Sequence, residues 1–260
     1  MKKQKIGVST LFCLGDPFSV MIQRLSTIKT KYVEVVDDGL HSLDKRKVAV
    51  LKETGKSFGI EYAVHAPFAD LNIASASDRM RRFVLERLEK SIAHASALEA
   101  SVWVFHPGIK TGISMFYPGM DWKRNCQCIR ILQGIANEYG VRITIENVPE
   151  PYAFLMKSVE DFMKFYRETN LNVEIALDVG HSNLNRQTDQ FLRTFSGKIG
   201  HIHVSDNMGI NDQHLGIGRG NVCWERFAES LLEIAYEGVV VVESVEHVEK
   251  SLQKARELFH

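Results

Sequence analysis

Apolar residues along this chain repeat with two different periods. Short runs rich in Val, Ile and aromatic side chains fall at 6–10, 32–36, 62–65, 102–106, 141–147, 173–178, 199–204 and 239–243. Runs of this length and β-branched content predict strands buried on both faces, as in a parallel sheet. Between them lie longer segments with helical spacing. From Met80 onward, Val84, Leu88, Ile92 and Ala95 share one face; after Ser158, the residues Val159, Phe162, Met163 and Tyr166 recur at i, i+3, i+4 and i+7. Gly59, Gly140 and Gly238 each stand one or two residues before a strand, where a glycine ends the preceding helix in a left-handed conformation. Eight strand–helix units with no linker or shift in composition predict an α/β fold closed into one (β/α)8 barrel spanning 1–260.

Composition narrows the function classes. With 45% hydrophobic and 25% charged residues the chain has the material for a large core and does not read as disordered. Lys+Arg and Asp+Glu both number 32, so no overall field draws a polyanion such as nucleic acid. The lysine-rich start turns apolar but is interrupted at Gly15, Asp16 and Pro17 before a secretory segment is complete. The longest apolar stretches, such as 239–242, fall far short of the ~20 residues a membrane helix needs. Cys13, Cys126, Cys128 and Cys223 contain no C-x-x-C pair and read as free thiols. A soluble cytoplasmic protein is expected.

In such a barrel the reacting side chains project from the carboxyl ends of the strands. That is where polar residues gather here. The third run ends at His65, the fourth at His106, the fifth at Glu146, and the sixth at Asp178 with His181 in the following turn. The seventh carries His201 and His203 and is followed by Asp212 and His214; the eighth ends at Glu243. One charged group at the buried end of an apolar strand is compatible with an ion pair or a cap. Successive strands all ending this way point to a cation. Carboxylates mixed with imidazoles suit Zn, Mn, Co or Mg, and an ion offsets the repulsion between Glu146, Asp178 and Glu243. Alternation puts His201 and His203 on one side of their strand, and His203 lies nearer the rim. His181 is either a ligand or a partner that orients one. His41, His94, His247 and His260 lie away from strand ends and read as surface histidines. Trp103, Trp122 and Trp224 either pack or wall a pocket.

The segments VHAPFADLNIAS (64–75), VFHPG (104–108), IENV (145–148), LDVGHSN (177–183), HIHVSDN (201–207), DQHLGIGRGNVCW (212–224) and VVESV (241–245) follow in order along the chain. Together they resemble the xylose isomerase-like TIM barrel superfamily over essentially the whole length. That superfamily holds sugar and sugar-phosphate isomerases and epimerases together with endonuclease IV. Resemblance to the isomerase and epimerase branch implies a single Mn, Mg or Co ion on Glu146, Asp178, His203 and Glu243. Resemblance to endonuclease IV implies up to three Zn ions, adding His65 and His106 beside Glu146, and a further set of His181, Asp212 and His214. Every one of these residues is present, so the set does not choose the branch.

Two reactions follow. In the first, Glu146 and Glu243 face opposite sides of a bound sugar or sugar phosphate, one removing a carbon-bound proton next to a carbonyl and the other returning it. In the second, an ion cluster activates water to cleave DNA at an abasic site. The stretch GIGRGNVCW at 216–224 resembles the GRG-x-x-x-W segment of sugar epimerases, which implies that Arg219 reaches the substrate and favours sugar chemistry. His181 and Arg219 therefore join the two glutamates as expected catalytic residues. Apart from Arg79, Arg81 and Arg82, which read as a solvated helix face, no basic stripe supports a grip on DNA. A site that bound metal and ligand without turnover would need fewer carboxylates. Nothing in the pattern sets the oligomeric state.

Overall fold

A computed structural model describes residues 4–259. His260 and the first three residues of the lysine-rich start lie outside the described residues. Strands β1 (Lys5–Ser9), β2 (Tyr32–Val36), β3 (Glu61–His65), β4 (Trp103–Phe105), β5 (Ile143–Glu146), β6 (Glu174–Asp178), β7 (Ile199–Val204) and β8 (Val239–Val242) pair in chain order. All neighbours run parallel, and β8 closes on β1 through registers such as Ile6↔Val240 and Val8↔Val242. The architecture is the (β/α)8 barrel that the alternation predicts.

Side-chain period sorts the strands into two layers. Val33, Val35, Val64, Trp103, Phe105, Ile145 and Leu177 face outward and join the main core beneath the helices. The intervening positions Ala63, Val102, Val104 and Ala176 form a separate small cluster inside the barrel. Glu34, His65, Glu146, Asp178, His201 and His203 share that inward register. Along β3 and β6 the small apolar Ala63 and Ala176 thus lie two residues below the ionisable His65 and Asp178 at the strand ends.

The helices are α1 (Phe18–Thr27), α2 (Lys45–Phe58), α3 (Asp78–Ala97), α4 (Met120–Tyr139), α5 (Val159–Thr169), α6 (Val179–Leu184), α7 (Thr188–Thr194), α8 (Trp224–Glu233) and α9 (Val248–Phe259). Among the described residues they number one more than the strands, because the sixth unit holds both α6 and α7. The start of α6 is local in origin: the Asp178 carboxylate accepts the His181 backbone N–H at 2.6 Å, so α6 begins directly at the strand end, and it stops at Leu184 before α7. Helix α3 begins at a Ser77 cap and buries Val84, Leu88, Ile92 and Ala95 as the spacing predicts. Helix α5 begins with a reciprocal Ser158–Asp161 cap, but its buried residues are Val159, Phe162, Phe165 and Thr169. Met163, expected in that stripe, is half exposed. Phe165 takes the inward position, and the buried face is rotated accordingly.

Gly59 and Gly140 cap α2 and α4 at φ +66°, as expected. Gly238 does not adopt this conformation. Ala235 makes the left-handed turn after α8 at φ 51°, and Gly238 instead leaves room for the Tyr236 hydroxyl, which a Cβ would overlap. His41 is also not a surface residue. It is buried, with Nε2 donating to Asp16 O at 3.0 Å and Phe18 edge-on to its ring. His94 is half-buried and His247 exposed. Cys13, Cys126, Cys128 and Cys223 are free thiols. No helix among the described residues is long and apolar enough to cross a membrane.

Candidate metal centre

The strand register brings the rim residues together. Asp178 and His203 stand opposite each other in the β6–β7 pairing, Glu146 ends β5, and Glu243 follows β8. Ligand atoms of Glu146, Asp178, His203 and Glu243 all lie within 4.8 Å of one another. The same holds within His65, His106 and Glu146, and within His181, Asp212 and His214. Every metal position expected from the sequence therefore falls in one of these groups.

Several rings have one nitrogen tied to a fixed acceptor. His65 Nδ1–H donates to Ala66 O at 2.8 Å, His181 Nδ1–H to Asn147 O at 2.8 Å, and His214 Nδ1–H to Glu243 O at 3.2 Å. A carbonyl only accepts, so each contact selects the tautomer and turns Nε2 toward the acids. His65 Nε2 then lies 3.2 Å from Glu146 Oε2, and His181 Nε2 and His214 Nε2 lie 3.3 and 3.1 Å from Asp212 Oδ2. His106 Nε2 is 3.1 Å from Glu146 Oε2. His203 is turned the other way, with Nδ1 at 3.2 Å from Glu146 Oε1 and 3.5 Å from Glu243 Oε2. Asn147 steadies the floor by bonding the backbone of Asp178 through both its amide atoms, at 2.8 and 3.0 Å.

These residues fit a divalent cation. Ligands held 2.0–2.1 Å from a tetrahedral ion stand about 3.3 Å apart, which matches the observed nitrogen–oxygen separations. Asp178 Oδ2 and Asp212 Oδ1 are buried without a hydrogen-bond partner. A buried carboxylate oxygen lacking a donor is costly unless positive charge lies beside it.

The charges are strongly coupled. Burial favours the neutral acid at Glu146, yet His203 and His106 outweigh it and hold the carboxyl well below its ordinary range. Burial raises Glu243, and the nearby Glu146 and Glu34 charges add to the effect against His203. Asp178 is raised, chiefly by burial. Burial also disfavours charge on His181, but Asp178 and Asp212 raise it to about 10; at His65 and His214 the acids Glu146 and Asp212 likewise prevail, to about 9. His106 is lowered, burial dominating.

Above this floor opens a cavity of about 440 Å³. Its lining includes His65, His106, Glu146, His181, Asp212, His214 and Glu243, together with Leu11, Phe68, Leu71, Ile109, Pro149, Tyr152, Phe154 and Val245. None of the three tryptophans lines it. Trp103 is fully buried and donates to Ser91 Oγ at 3.0 Å, Trp122 donates to Glu168 at 2.7 Å, and Trp224 donates to Asp206 Oδ2 at 2.9 Å. The wall comes instead from Phe68, Tyr152 and Phe154, which have no strand-end signature. Arg219 is exposed and is not among the lining side chains. Its loop is held by Asp206, a fully buried carboxylate that also accepts from the backbone N–H groups of Asn207, Gly218 and Val222 at 3.0, 2.8 and 3.2 Å. An Asp206→Ala change leaves these donors unpaired and is expected to cost at least about 3 kcal/mol, measurable by urea denaturation.

Sequence reasoning missed Glu34, which lies mid-strand in β2 and is fully buried against His201 and His203. The available signal was an acid at the centre of the apolar run YVEVV. Arg81, expected on a solvated face, is half-buried and bonded to Ser75 O and Asp78, whereas Arg79 and Arg82 are exposed.

Fold and rim define a class, a (β/α)8 barrel with a candidate metal centre at the carboxyl ends of its strands. The family follows from comparison: the xylose isomerase-like TIM barrel model matches residues 22–259, and the chain belongs to that family. An uncharacterized protein of Methanocaldococcus jannaschii is 31% identical over 244 residues, covering 92% of this chain and 83% of its own. The D-psicose 3-epimerase of Ruminiclostridium cellulolyticum is 24% identical over 237 residues, covering 87% and 78%. Among solved structures, a D-tagatose 3-epimerase-like protein superposes with a TM-score of 0.92 at 29% identity, over 98% of this chain and 97% of that one.

Proposed function

We propose that this protein is a divalent-metal-dependent sugar epimerase that inverts a free ketose at the carbon beside its carbonyl. The observation that carries the reading is the placement of Glu146 and Glu243. Both are buried, both line the same cavity, and they come from strands three positions apart in the closed order. A ketose between them meets one carboxyl on each side. One glutamate takes the carbon-bound proton and the other supplies a proton to the opposite face. A divalent ion held by Glu146, Asp178, His203 and Glu243 would polarise the substrate oxygens. His181 Nε2, facing the cavity beside Asp212, orients a substrate hydroxyl.

The similarity to epimerases of psicose and tagatose type supports a ketohexose as substrate. Among the described residues the lining contains no lysine or arginine, which favours a neutral sugar over a sugar phosphate. Arg219 enters this scheme only if the 216–224 loop closes on bound sugar. With D-fructose, D-psicose and D-tagatose offered in deuterated water, the expected result is the epimeric ketose carrying one solvent deuteron at the inverted carbon. Epimerisation with no deuterium incorporated would argue against proton exchange with solvent at that carbon.

A second reading is hydrolysis of DNA at abasic sites by an endonuclease IV-type zinc cluster. The additional groupings of His65 and His106 with Glu146, and of His181, Asp212 and His214, favour it. Three Zn per chain with cleavage of an abasic-site duplex would establish it. One Mn, Mg or Co per chain with ketose turnover supports the first reading.

A further inference from the structure

We infer that Glu34 is the positioning residue of the metal centre, selecting which nitrogen of His203 is offered to the ion. This rests on the metal-dependent reading above. Glu34 sits in the middle of β2 and His203 near the end of β7. These strands are not neighbours in the closed order, so the contact spans the barrel interior. His203 Nε2 lies 3.1 Å from Glu34 Oε1 and 3.3 Å from Oε2, and His201 Nε2 donates to Oε2 at 2.8 Å. His203 Nδ1, on the far side of the ring, faces Glu146 and Glu243.

A neutral imidazole carries its proton on either nitrogen. A carboxylate at Nε2 draws the proton there and leaves the Nδ1 lone pair for a cation, raising its basicity as well. His201 braces the carboxylate from below. Glu34 itself is not among the residues lining the cavity. Carrying an acid in mid-strand is costly unless its partners hold it, and these two imidazoles are the partners observed. The sequence favours His203 over His201 as ligand because it lies nearer the rim, and here the two have separate tasks, His203 facing the centre and His201 supporting Glu34.

The test uses the full chain, stripped of metal and titrated with Co²⁺ against a competing chelator. Glu34→Gln keeps the side-chain volume and one acceptor oxygen but removes the charge. It is expected to weaken Co²⁺ binding about 10–100-fold and to alter the visible Co²⁺ absorption, with the thermal midpoint of the stripped protein close to wild type. Should Glu34→Gln fail to fold, His201→Gln, which removes only the brace, is expected to show a smaller loss of Co²⁺ affinity in the same direction. Wild-type affinity and an unchanged spectrum in whichever variant folds would make Glu34 a packing residue and overturn the inference. If the wild-type chain takes up no Co²⁺, the metal-dependent reading falls first, and this one with it.

Discussion

With glutamine in place of Glu243, ketose epimerisation is expected to slow by about 10²–10⁴-fold, the range over which a positioned acid or base acts. Glutamine preserves the shape of the side chain and still presents an oxygen to the site. What it cannot do is accept or return a proton. In protein saturated with metal the loss should therefore fall on kcat, with deuterium exchange disappearing in parallel, and metal affinity should drop as well because Glu243 belongs to the candidate ligand set. Steady-state kinetics together with metal analysis separate these quantities. A Glu243→Gln protein turning over at the wild-type rate would end the two-glutamate scheme.

The second large effect concerns metal removal. Glu146, Asp178 and Glu243 are buried at one rim, and like charges so close resist being ionised together. Treatment with a strong chelator is expected to abolish turnover, and Mn²⁺ or Co²⁺ to restore it. Stability should follow. An ion present at 100 times its Kd adds about 2.7 kcal/mol, which for a chain of this size raises Tm by about 5–10 °C. Differential scanning calorimetry of stripped and reloaded protein measures the shift. Equal melting temperatures and full activity after stripping would exclude a metal requirement.

The barrel was legible because a parallel strand buried on both sides advertises itself. Val33, Val35, Ile145 and Leu177 had to be apolar to meet the helices, and their alternation left the intervening positions to the interior. The rim groups were legible for the opposite reason, since His65, Glu146 and Asp178 each follow at least three uncharged residues at the carboxyl end of their run. Other features depended on competition the sequence does not display. Met163 and Phe165 both suit a helical stripe, and only packing against the neighbouring elements decides which is inward. Gly238 reads as a cap until Tyr236 is seen to need its missing side chain. Glu34 escaped because it stands in mid-strand, away from the rim, and its partners lie on β7, across the barrel. The cavity wall was hidden more deeply. Phe68, Tyr152 and Phe154 occupy irregular loops, where no period relates a residue to what it faces.

The lining of the cavity is uneven around its circumference. Its aromatic members Phe68, Tyr152 and Phe154 follow β3 and β5, while His181, Asp212 and His214 lie on the side of β6 and β7 and the aliphatic Leu11, Val36 and Val245 on the side of β1, β2 and β8. The aromatic residues belong to loops that do not hold the strand register, whereas Glu146 and Glu243 stand at strand ends. On the proposed epimerase reading, exchange of those loop residues would change which sugars fit while leaving the two proton-transferring carboxyls in place.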